Sequence, residues 1–207
     1  MKDFIRRLTI TAVLAASAAC ATQSAPDRTA CPGKSAESFY FAIGMFNAND
    51  TFLDELFRQA YSKQLNAMGE PSLLCGDHGE AYRFTWLRSF HHPVAVRITR
   101  SNENIVLHAV ELDGQGGYNP GRTLRSLTKS ITSEEFRSIE TLFSKRAFDD
   151  LPSTEAHDGA DGSNWIVEAS NHGKYHMVVR WSPKDGPVHE IGNQFLMLTG
   201  WKFTDMY

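Results

Sequence analysis

Glu168 and His176 are the residues whose types and spacing come nearest to chemistry. They stand on either side of Asn171-His172-Gly173, in two runs rich in Trp, Ile, Val, Tyr and Met, residues 164–170 and 174–182. Such runs read as the half-buried strands of a hairpin. A three-residue loop with Gly in last place, where φ > 0 is required, makes Ser170 face Lys174. Counting back from that loop, Glu168 faces His176 and Asn164 faces Arg180. A carboxylate beside an imidazole favours the charged ring and is the elementary acid/base couple of a hydrolase. The same pairing also describes an ion pair on a wet sheet face, worth a few tenths to about one kcal/mol. The plainer reading is preferred, because charged pairs on strands are common and catalytic ones rare.

The register rests on the hydrophobic pattern. A three-residue loop gathers Trp165, Val167 and Ala169 with Tyr175, Met177, Val179 and Trp181. It leaves Ile166, Glu168 and Ser170 with His176, Val178 and Arg180 on the other face. A two- or four-residue loop mixes Glu168 with Trp181 and Trp165 with Arg180, which splits the apolar set.

Two glycine-rich loops offer other chemistry. In the first, Gly162 as the sixth position of a calcium loop puts Asp161 fifth and Glu168 twelfth, but His157 and Gly159 then occupy ligand positions one and three. That excludes an EF-hand. An irregular site on Asp158 and Asp161 is the alternative to a plain Asp-Gly turn. The second loop, residues 113–121, lacks the Lys-Ser/Thr of a phosphate cradle. Its Gly116, Gly117 and Tyr118 are candidate partner contacts, as exposed and tightly bent segments often are.

Other site grammars fail on single residues. His189-Glu190 begins a zinc-protease motif, but Asn193 stands where the second His is needed. His91 and His92 are adjacent and point apart on a strand. There is no Gly-x-Ser-x-Gly elbow. No metal and no cofactor is expected.

The first 19 residues carry Lys2, Arg6 and Arg7, then an apolar run ending in small residues. This reads as a secretory signal, too short to span a membrane. Cys20 after Ser17-Ala18-Ala19 resembles the lipobox of bacterial lipoproteins, although Ser17 replaces the usual apolar residue. Ordinary cleavage after Ala18 or Ala21 is the rival. With Cys20 acylated or removed, Cys31 and Cys75 remain as one expected disulfide in an oxidising compartment. The lipoprotein reading implies a lipid anchor at Cys20 and, with Ala21 following, sorting to the outer membrane. Residues 20–34 read as a tether and 35–207 as a single domain.

Charge narrows the partners. Removing residues 1–19 takes away three basic residues and one acidic one, leaving 18 against 23, a net of −5. No basic patch appears, which argues against nucleic acid.

The elements that position these groups follow from periodicity. Residues 50–69 carry Leu53, Leu56, Phe57, Ala60, Tyr61, Leu65 and Met68 on one helical stripe, stopped by Gly69 and Pro71. Strand-like runs follow at 81–90, 94–100, 104–112 and 123–130, with connections short enough to make neighbours antiparallel. Thr132 and Glu135 form a capping box, with Ile131 and Phe136 as its staple, before a second helix. A third runs over 188–199 and stops at Gly200. The order predicts an α+β fold: a largely antiparallel sheet of about six strands with helices on one face.

The runs 81–88, 90–93, 112–121 and the central stretch ending Arg180-Trp181-Ser182-Pro183 resemble a group of small bacterial exported proteins without established activity. The likeness covers most of residues 39–200. It implies a recurring domain and carries over no catalytic residues.

The expectation is an envelope lipoprotein with a non-enzymatic domain that binds a protein or cell-envelope component, in the manner of an immunity protein or inhibitor. Glu168, His176, Arg180, Asp158, Asp161, Gly116, Gly117 and Tyr118 are its candidate contacts. The alternatives are an envelope hydrolase using Glu168 and His176, and a purely structural anchor domain.

Overall fold

A computed structural model describes residues 40–207 apart from Asp77, Asp158, Ala160 and His172. The signal, the tether, Cys20, Cys31 and Asp158 therefore lie outside the described residues. Six strands form one antiparallel sheet: β1 Glu80–Arg88, β2 Val94–Ser101, β3 Asn104–Leu112, β4 Thr123–Ser130, β5 Ser163–Asn171 and β6 Lys174–Trp181. Their order is β4-β3-β2-β1-β5-β6. Three helices accompany them, α1 Thr51–Ala67, α2 Ser133–Lys145 and α3 Gly186–Thr199. The α+β expectation holds, with the strands in the expected places.

Local sequence explains the helix ends. Asp50 caps α1, its carboxylate accepting from the Phe52 and Leu53 amides. At the other end Gly69 turns to φ 68°. Its amide donates to Asn66, and the Glu70 amide donates to Leu65 at 3.0 Å. This pair of bonds is the Schellman closure, and it sets Glu70 immediately beyond the helix. The capping box of Thr132 and Glu135 is present at α2.

The sheet is covered on two faces rather than one. The β1 residues Tyr82, Phe84 and Trp86 point into a core shared with Phe136 and Ile139 of α2 and Ile191 and Phe195 of α3. Ala81 and Leu87, on the opposite face, pack with Phe41, Tyr61, Leu65 and Leu73. So α2 and α3 lie on one face and α1 on the other. The expected stripe of α1 is rotated accordingly: Leu56 is 49% exposed, while Asp54, Arg58 and Ser62 are buried. Asp54 earns burial by accepting from the Gly44, Phe46 and Asn47 amides, which fastens the preceding segment to the helix.

The second covered face also corrects the hairpin register. Asn171 pairs with Lys174, so two residues rather than three separate the paired positions, and Glu168 pairs with Met177 rather than His176. Asn164 likewise faces Trp181, and Arg180 faces Trp165. The rejected register had seemed to split the apolar set. It splits it between two cores, and each half is buried.

α1 covers only part of its face. Beyond it, Thr128 and the rest of that side of β4 are exposed, and Val106 and His108 of β3 are half-buried. That half of the second face is open.

Candidate functional site

Glu168 and His176 stand on opposite faces of the sheet, since Glu168 shares its side with Met177 and His176 shares its side with Ala169. Neither the preferred cross-strand ion pair nor the alternative acid/base couple of these two residues is therefore assembled. His176 Nε2 contacts the Leu151 carbonyl oxygen at 3.0 Å, and its ring meets Phe148 edge-on. Arg180 binds the Pro152 carbonyl and pairs with Glu155 at 2.9 Å. Asp161 is exposed.

Glu168 belongs to a buried charge network that runs across the sheet. The registers place Glu168 beside Arg83, Arg83 beside Arg97, and Arg97 beside His108 in one row. Arg83, fully buried, clamps both Glu168 oxygens at 2.7 Å. Tyr175 donates to the same carboxylate at 2.9 Å. Two arginines directly opposite one another repel, and a second carboxylate resolves this. Glu70 Oε2 takes Arg97 Nε at 2.8 Å and stands 3.4 Å from Arg83 Nη1, while Oε1 meets His108 Nδ1 at 2.8 Å. A carboxylate–imidazole contact thus exists in this fold, built by Glu70 and His108.

Burial alone would raise the Glu70 pKa. The His108 hydrogen bond and the charges of Arg83 and Arg97 outweigh it and hold the carboxyl down at about 2. Burial and the Glu168 charge push the Tyr175 phenol well up. Burial lowers, and the Glu168 and Glu70 carboxylates more than restore, the affinity of Arg83 for its proton. The row is a locked ion cluster at its Arg83–Glu168 end. At the other end it reaches water: the Arg97 and His108 side chains keep 18% and 25% exposure. Each contacts Glu70 through one nitrogen, which leaves the Arg97 η nitrogens and His108 Nε2 without a partner among the described residues. These are the groups available to a ligand.

Sequence reasoning missed Glu70, Arg83, Arg97 and His108. The three strand residues alternate in step with their neighbours, so their common face was readable. Glu70 was not, because a helix stop gives no sign of where its side chain lands.

The 113–121 loop is less free than expected. Gly116 is buried, its amide donating to the His91 carbonyl at 3.1 Å, and a Cβ there would come within 2.6 Å of the Arg88 backbone nitrogen. The Gln64 amide ties down the carbonyls of Gln115, Gly116 and Tyr118. These glycines allow close packing against β1. Gly117 and Tyr118 remain outward, Tyr118 stacking on exposed Phe90 with ring centroids 6.1 Å apart.

No protein-family model matches the chain, and no curated protein is similar to it in sequence.

A hollow lies at the other end of the same face, between α1 and the β5–β6 hairpin. It holds about 60 Å³. Phe46, Phe57 and Tyr61 wall one side, with Phe46 and Tyr61 edge-to-face at 5.0 Å. Trp181 walls the other, with the His157 ring stacked on it at 5.3 Å and 6°. Gly159 and Gly162 let the loop pass against Trp181, where a Cβ on Gly162 would stand 2.7 Å from the indole. The glycines of this loop thus have a packing role.

Proposed function

We propose that the chain is an envelope lipoprotein whose body binds another protein without catalysing a reaction. The partner docks on the open half of the sheet and presents an acidic side chain to Arg97 and His108. One observation carries this reading: Arg97 and His108 are each held at 2.8 Å by the Glu70 carboxylate, while their side chains keep 18% and 25% exposure. Fixing long side chains before contact removes part of the ordering cost of binding, about 0.5–1.5 kcal/mol per side chain. β4 supports a protein partner in particular, since among the described residues it ends the sheet and presents a strand edge beside these groups. Membrane attachment is through the acyl group on Cys20 only, at the periplasmic face of the outer membrane. Cys75 is disulfide-bonded, and Cys31 in the tether region is its proposed partner.

Thr128→Glu tests the docking face without touching the buried cluster, because Thr128 is exposed and faces His108. The new carboxylate repels an acidic partner. Capture of the partner by the full chain is expected to weaken about tenfold or more, and Met197→Glu on the outer side of α3 is expected to leave it unchanged. Equal capture by both variants and the parent would favour a structural anchor domain instead.

A further inference from the structure

We infer that Trp86, Arg88, Trp165 and Ser163, at the end of β1 and β5, form a binding site for the carboxylate end of an extended peptide, which the chain's own residues 201–207 cover. The site lies on the α2–α3 face of the sheet, opposite Arg97 and His108, so it can fail without the proposed docking face.

Three buried donors converge on one oxygen. The Trp86 and Trp165 indoles donate to the Tyr207 main-chain oxygen at 3.1 and 3.0 Å, and the Ser163 hydroxyl donates to the same atom. Strand register brings them together: Trp86 pairs with Trp165, and Arg88 with Ser163. None of the four is more than 4% exposed. One carbonyl oxygen has two lone pairs, whereas a carboxylate offers about four acceptor sites. Three donors beside a guanidinium therefore describe a carboxylate pocket.

Arg88 is an independent sign of an unfilled site. Its guanidinium lies 4.0 Å over the Trp86 ring, and its η nitrogens donate to the Thr204 and His92 carbonyls at 3.2 and 2.9 Å. Its buried Nε has no partner among the described residues. Charge agrees, because Glu111 stands 3.9 Å from Arg88 and 2.5 Å from Arg125, one carboxylate for two guanidiniums.

The cover fits its site imperfectly. Residues 201–207 form neither helix nor strand, and Lys202, Thr204, Asp205 and Met206 are exposed. Asp205 takes φ 55°, a left-handed conformation unfavourable for a residue with a side chain. Rings hold the segment: Phe203 meets Trp86 at 5.7 Å, and Arg125 lies over Trp201 and Phe203 at 4.2 and 5.3 Å. A buried donor set under a strained, largely exposed cover is open to exchange with a peptide that has the same aromatic spacing and no strained residue.

The probe is the heptapeptide Trp-Lys-Phe-Thr-Asp-Met-Tyr, made with a free carboxylate or with a carboxamide. Two variants of the full chain release the cover and spare the site. Phe203→Ala removes its ring contact, and Asp205→Pro replaces an exposed residue by one that cannot take φ 55°. By calorimetric titration, the free-acid peptide is expected to bind both variants saturably and about tenfold or more tightly than the parent, whose cover competes at high effective concentration. The carboxamide is expected to bind them about tenfold more weakly than the acid. Adding Ser163→Ala or Trp86→Phe, each with unchanged circular dichroism, is expected to weaken the acid about three- to tenfold. Absence of saturable binding, equal binding of acid and carboxamide, a parent that binds like the released variants, or folded site variants that bind undiminished would each overturn the inference.

Discussion

Glu70 shows how one side chain can govern a network it contributes to from outside the sheet. Its carboxylate separates Arg83 from Arg97 and orients His108. Because its folded pKa, about 2, lies below the ordinary 4.5, the unfolded chain takes up this proton at higher pH than the folded one. The stabilisation is therefore complete above about pH 5 and disappears as the pH falls toward 2. A shift of that size corresponds to roughly 3 kcal/mol. Urea unfolding at pH 7 and pH 3 should show the loss in the parent, and Glu70→Gln should remove this part of the pH dependence. At pH 7 the same substitution leaves buried cations short of a partner and should cost about 3–5 kcal/mol, read from the urea midpoint. An unchanged midpoint would mean that the cluster relaxes around its loss. The part played by Glu70 was not legible in the sequence. Charged residues at alternating strand positions read as a wet face, and only the residue that descends from α1 turns that face into a buried one.

At the level of elements, the sequence was informative where an end carries its own chemistry. Thr132 with Glu135 and the glycines at 69 and 200 placed helix ends correctly because capping is local. The hairpin register depended on which faces are buried, and that is a tertiary matter. Assuming a single covered face moved β6 by one residue against β5, which brought Glu168 opposite His176 on paper and hid its bond to Arg83. Packing between α3 and the sheet gives a sharp check on the observed arrangement. Gly192 lies where a Cβ would come within 2.6 Å of the Trp165 ring and 2.7 Å of the Phe84 ring. Gly192→Ala should therefore destabilise the protein by about 1–3 kcal/mol through overpacking, despite the higher helix propensity of alanine. Thermal unfolding decides it, and a raised melting temperature would show that α3 stands further from the sheet.

For the whole molecule, the α+β class followed from the order of helices and strands, but the distribution of helices over two faces did not. That distribution creates the proposed recognition surface. α1 with the segments around it buries the β1, β5 and β6 side of the second face and reaches Ala95 of β2 and Val110 and Leu112 of β3, but leaves Val106 and His108 half-buried and β4 uncovered. Cys75, in the segment following Glu70, is disulfide-bonded, and its proposed partner is Cys31. Peptide mapping without reduction should recover Cys31 joined to Cys75, with Cys20 on an acylated N-terminal peptide. A Cys20–Cys75 bridge would contradict the lipid anchor. The most direct measurement of the account is photocrosslinking in intact cells that make the protein, with the reactive group placed at Thr128 or at Met197. The account predicts a discrete protein adduct from Thr128, lost when Arg97 and His108 are replaced by Gln in a folded chain, and no such adduct from Met197. No adduct from Thr128, or the same adduct from both positions, would contradict it.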